Sequence, residues 1–136
     1  MMNIFIDTGA FLSRHLENDQ FHKVSVKTWK ELEKANHVFY TSNFIVNETL
    51  TLIARRAGGK FAVQVANHLY QSKVLNILRP AEDEEKEAIK LMGKFYDHQI
   101  GFTDCLSSVL MQKHRIPSIF TFDQHFLLWK FNIHPR

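Results

Sequence analysis

The chain has 136 residues, 45% hydrophobic and 23% charged, with 17 Lys and Arg against 14 Asp and Glu for a formal charge of +3. That is the size of one domain with a real core, and its mild basic excess admits a polyanionic partner without requiring one. A single cysteine, Cys105, excludes an internal disulfide and paired-cysteine zinc, while the absence of a cationic leader and of any apolar run near the ~20 residues of a membrane span leads us to expect a soluble, unprocessed, cytoplasmic protein.

Short β-type runs fall at NIFI (3–6), HVFYT (37–41), VLNIL (74–78) and PSIFT (117–121), with a last short strand near NIHP. Helical periodicity fills the gaps. Phe21, Val24, Thr28 and Leu32 recur at three- and four-residue steps, as do Phe44, Glu48 and Leu52, and then Ala88, Leu91, Met92 and Phe95 behind the acidic helix start EDEE. Gly58 and Gly59 separate a helix over 44–56 from another over 60–72, and Pro80 and Pro117 punctuate strand boundaries. No repeat or linker divides the chain, so one domain over 1–136 is expected. The order β, α, α, β, α, α, β, α, α, β, α predicts an α/β fold with a mostly parallel central sheet covered by helices on both faces. In such sheets, function sits outside the carboxyl ends of the strands.

Two acids fall there. Asp7 directly follows NIFI, and Asp123 follows the last clear strand through IFTFD. Asp104 opens the helical run DCLSSVLMQKH, with Thr103 as its expected N-cap, and Glu48 occupies the apolar stripe of its helix. Each has an ordinary alternative: Asp7 and Asp123 as helix N-caps, Asp104 as a favourable charge at a helix N-terminus. Glu48 is the most informative, because a carboxylate on a core-facing stripe needs a compensating partner. Four converging acids repel one another unless a hard cation joins them, and oxygen-only ligands favour Mg²⁺ or Mn²⁺ over zinc. Such a centre activates water and stabilises a phosphoryl transition state, which suits phosphodiester cleavage.

The segments carrying these acids are IFIDTGAFLS, SNFIVNETLTLIARRAG (42–58), IGFTDCLSSVLMQ (100–112) and IFTFDQHF (119–126). In order and spacing the whole chain resembles the PIN-domain endoribonucleases, and within them the VapC-like toxins of toxin–antitoxin systems. The resemblance places the family's four acids on Asp7, Glu48, Asp104 and Asp123, and matches Thr8 and Thr121 to polar positions beside its metal site. It implies an α/β/α sandwich, Mg²⁺ or Mn²⁺ dependence, cleavage of single-stranded RNA by activated water, a homodimer and a small antitoxin partner. Asp7, Asp104 and Asp123 are then expected to hold the ion, with Glu48 either a further ligand or the group that orients the attacking water. The rival is a PIN-like module that binds RNA or protein without cutting.

The DTGA of residues 7–10 also spells an aspartic-protease nucleophile, but that chemistry needs a β-rich fold and two such aspartates sharing a proton. Haloacid-dehalogenase-like phosphatases want a second acid two residues after the first, where this chain has Gly9. The eight histidines form no zinc motif and read as ordinary polar residues, and Cys105 reads as a buried small side chain. Arg55, Arg56 and Lys60 around RRAGGK, and Lys113, His114 and Arg115, are candidates for RNA phosphates or simply charges at helix ends. FLLWKF (126–131) either packs in the core or offers a surface for a second copy or an antitoxin.

Overall fold

Ile4, Phe5 and Ile6 are fully buried, as a continuous apolar run must be when both faces of its strand are covered. This run is β1 (Asn3–Ile6), the central strand of a five-stranded sheet in a computed structural model that describes residues 1–136. It is followed by α1 (Thr8–His15), α2 (His22–Lys34), β2 (Val38–Ser42), α3 (Asn43–Ala57), α4 (Gly59–Gln71) and β3 (Leu75–Leu78). The chain continues through α5 (Glu82–Lys94), a 3₁₀ turn at Tyr96–His98, α6 (Phe102–Lys113), β4 (Ser118–Phe120), a 3₁₀ helix at Gln124–Trp129 and β5 (Asn132–His134).

The strands lie in the order β3-β2-β1-β4-β5 and every adjacent pair is parallel. The chain therefore builds outward from β1 to β3, then crosses back to add β4 and β5 on the other side. Right-handed crossovers running in opposite directions place α1 to α4 on one face and α5 with α6 on the other. Packing follows that division: α1 rests on α2 and α3, α3 on α4, and α5 on α6. The larger core joins the sheet to Trp29, Leu32, Ile45 and Ile53, and a smaller one gathers Ala88, Leu106 and Leu110. The result is the expected α/β/α sandwich. No helix is long and apolar enough to cross a membrane.

Two helical stripes differ from expectation. In α2 the buried face is Ser25, Thr28, Trp29 and Leu32, whereas Phe21 and Val24 are exposed. The Ala10 carbonyl explains the rotation: Trp29 Nε1 donates to it at 3.1 Å and Ser25 Oγ at 3.3 Å, so α2 docks on α1 by that edge. After β4 the expected helix is a six-residue 3₁₀ segment, in which Phe126 is buried while Leu127 and Leu128 are exposed. The Gly58 break is as expected, with φ +93, a conformation L side chains rarely adopt.

Candidate active site

Between β1 and β4 the direction of chain growth reverses, and at such a switch point the connections leaving the strand ends diverge and open a crevice. Asp7 stands at the β1 end, its backbone N–H donating to the Phe120 carbonyl of β4 at 3.0 Å. Asp7 occupies the N-cap position of α1, yet its carboxylate makes no cap hydrogen bond. Instead Oδ2 accepts a 2.7 Å hydrogen bond from Thr121 Oγ1, which in turn accepts from the Asp123 N–H at 3.0 Å. Thr121 thus ties the two strand-end acids together. Thr121→Val keeps the shape and removes both bonds, so we expect a loss of roughly 2 kcal/mol, measured by urea unfolding at a pH where Asp7 is ionised.

Asp123 caps the 3₁₀ helix after β4, Oδ1 accepting from the His125 N–H at 2.9 Å. Asp123 is therefore an N-cap that also lines the cleft. Asp104 is the third residue of α6, because the helix begins at Phe102 with Gly101, not Thr103, at its N-cap. Its carboxylate still lies in the first turn, where the helix dipole favours an anion. Glu48 corrects the expectation of a core-facing acid: it is exposed, and α3 buries Ile45, Val46, Thr49 and Ile53 instead. Glu48 faces the cleft from a helix flank.

All four acids line one open cleft of about 650 Å³ together with Thr8 and Thr121, and no Lys or Arg lines it. That imbalance is felt in the protonation of the acids. Burial pushes the Asp7 carboxyl up to about 6, against the pull of the Thr121 hydrogen bond and the Thr8 amide, with Asp123 and Glu48 adding repulsion. Asp104 is also pushed up, first by burial and then by the charges of Asp7, Asp123 and Glu48. The donor set fits a hard divalent cation: carboxylate oxygens with uncompensated charge, beside a buried Thr8 hydroxyl that has no protein partner.

His125 is the residue sequence reasoning passed over. Its Nδ1 lies 2.9 Å from Asp123 Oδ1 and 3.8 Å from Asp104 Oδ2, and ligand-capable atoms of Asp104, Asp123 and His125 fall within 4.8 Å of one another. The available signal was its place two residues after a strand-end aspartate.

The basic candidates stand outside the cleft. Arg55, Arg56 and Lys60 are exposed where α3 meets α4, and Arg55 is two helical turns, ~10 Å, beyond Glu48 along α3. Lys113 is at the far end of α6, paired with Glu84 at 3.3 Å, which removes the Lys113, His114 and Arg115 group from the acids.

A wholly parallel α/β sheet whose switch-point crevice is lined by carboxylates suited to a divalent cation defines a class of site. Residues 4–130 match the PIN domain model, and the chain belongs to that family. A 23S rRNA-specific endonuclease of Mycobacterium tuberculosis, VapC20, is 28% identical over 123 residues, covering 90% of this chain and 91% of the relative. The crystal structure of VapC20, described as a sarcin–ricin loop cleaving toxin, superimposes with a TM-score of 0.85 at 27% identity over 94% of this chain and 95% of that one. FitAcB from Neisseria gonorrhoeae shares the fold, with a TM-score of 0.70 at 19% identity over 96% and 95% of the two chains.

Proposed function

We propose that this protein is a metal-dependent endoribonuclease that hydrolyses phosphodiester bonds in single-stranded regions of RNA, and that it is the toxin of a toxin–antitoxin pair. The observation that carries the proposal is the meeting of Asp7, Glu48, Asp104 and Asp123, from four separate segments, in one cleft without a Lys or Arg. Asp7, Asp104 and Asp123 would hold Mg²⁺ or Mn²⁺, which when bound supplies an acidified water and neutralises charge developing on the phosphate. Thr121 fixes the Asp7 carboxylate, Thr8 offers a hydroxyl beside it, and Glu48, the exposed acid, accepts a hydrogen bond from the attacking water and aligns it. Arg55, Arg56 and Lys60 receive neighbouring phosphates of the strand, which gives RNA binding a marked salt dependence.

VapC20, described as a 23S rRNA-specific endonuclease and a sarcin–ricin loop cleaving toxin, supports a ribosomal RNA loop as substrate. An antitoxin partner, action in the cytoplasm and a single PIN-like domain over residues 1–136 complete the reading. A homodimer belongs to the same reading, and sedimentation at micromolar concentration tests it. The function itself is tested by incubating labelled structured RNAs, a ribosomal stem-loop among them, with the purified protein in Mg²⁺, Mn²⁺ or EDTA. We expect cutting with either ion and none in EDTA. Binding without cutting under every condition would favour the non-catalytic module.

A further inference from the structure

Phe21 and Phe122 form the most closely stacked aromatic pair in the molecule, with ring centroids 4.4 Å apart and planes within 4°. Phe122 lines the acid cleft, lying in sequence between Thr121 and Asp123. Its backbone is fixed on both sides, the Thr121 N–H donating to the His134 carbonyl and the Asp123 N–H to the Thr121 hydroxyl. Gly9 leaves room beside the ring: a Cβ there would sit 3.8 Å from Phe122 Cδ2, and Phe120 meets the ring edge-on at 6.0 Å. Phe21 is different. It is 38% exposed, precedes α2, and belongs to neither core cluster. Its position is set by its own backbone N–H, which donates to Asp19 Oδ1 at 2.9 Å. The molecule therefore holds a partly open aromatic platform, one of whose rings lines the cleft that carries the four acids.

We infer that the Phe21–Phe122 stack receives an unpaired nucleobase next to the phosphate held in the acidic cleft, and so restricts the substrate to RNA whose base is free to swing out. The inference rests on the ribonuclease reading and adds a positioning role to it. A base within a duplex has both faces occupied by its neighbours and cannot reach this platform. A loop base can, and stacking is tolerant of sequence because every base has a π face. The stack would thus read whether a base is free and leave its identity to other contacts. The acids cannot make that distinction, since the phosphate they address is common to paired and unpaired strands.

The test uses a short oligouridylate and a strand of equal length in which every ribose is abasic, so that charge is constant and only the bases differ. Binding is measured by fluorescence anisotropy on end-labelled strands in Mg²⁺, with Asp7→Asn as the parent so that cutting is too slow to matter during the measurement. We expect the oligouridylate to bind about tenfold more tightly than the abasic strand. Adding Phe21→Leu should erase that advantage while leaving the affinity for the abasic strand unchanged, and adding Phe21→Trp should preserve it. Phe21 is exposed, and a thermal melt confirms that both variants fold. Equal weakening of both strands by Phe21→Leu, no weakening of either, or failure of the parent to bind either strand would overturn the inference. A base advantage that depends on Phe21 in a protein whose wild type cuts no RNA would sustain the platform and remove the ribonuclease. Metal-dependent cutting with no base advantage would do the reverse.

Discussion

Asp7→Asn is expected to slow RNA cleavage about a thousandfold, with RNA binding retained, in the Mg²⁺ or Mn²⁺ reaction of the wild type. The substitution keeps the volume of the side chain, and its amide oxygen can still accept the 2.7 Å hydrogen bond from Thr121. What is lost is the charge and one of the two oxygens, and these are what a cation bound at the β1 end would require. Binding should persist because the proposed function has the phosphates of the strand drawn by groups outside the cleft, and removing one anion from the cleft lessens their repulsion. Labelled RNA followed on a denaturing gel, beside a mobility shift of the same RNA, separates the two effects. Equal cleavage by wild type and variant would defeat the assignment of Asp7.

The same substitution should make the metal-free protein more stable. Burial has pushed the Asp7 carboxyl from 3.8 to about 6, so near neutral pH the folded state carries an anion it would rather protonate. Relieving a shift of this size is worth at most about 3 kcal/mol, a rise in Tm of up to about 10 °C for a chain of this length. The sign with pH is fixed by proton counts. Between 3.8 and about 6 the folded state binds more protons than the unfolded state, so wild-type stability falls as pH rises through that window. The steep Asp7 part of that slope should vanish in Asp7→Asn. Mg²⁺ should raise the wild-type Tm by mass action and leave the variant nearly unchanged. Differential scanning calorimetry in EDTA and in Mg²⁺ provides both comparisons. A metal-free wild type as stable as the variant would show that Asp7 is under no electrostatic strain.

Much of this architecture was legible in the chain because its signals were local. NIFI is apolar at three successive positions, which only a doubly covered strand demands, and Asp7 directly after it had to fall on the carboxyl rim. Gly58 announced its own turn. What escaped was the direction of particular side chains. Glu48 shares a helical line with Phe44 and Leu52, which pack partly buried against the two cores, while Glu48 and Leu52 also line the cleft, so periodicity could not distinguish core stripe from cleft wall. In α2 the decisive contact is made by Trp29 and Ser25 with a carbonyl on a different helix, which spacing within α2 does not encode. His125 escaped for a related reason: its significance comes from Asp104, contributed by α6 before β4. The pairing of Phe21 with Phe122, about a hundred positions apart, has no local trace.

The Thr121–Asp7 hydrogen bond closes a loop of 114 residues between the first strand and the turn after the fourth. Contacts of such long range form late in folding, because the entropy of closing the loop is lost before any contact rewards it. A chain emerging from the ribosome would accordingly carry Asp7 and Glu48 long before Asp104 and Asp123 exist to meet them. An enzyme of the proposed function would thereby lack its complete cleft until its synthesis is nearly finished, and its proposed antitoxin would have that interval in which to be made.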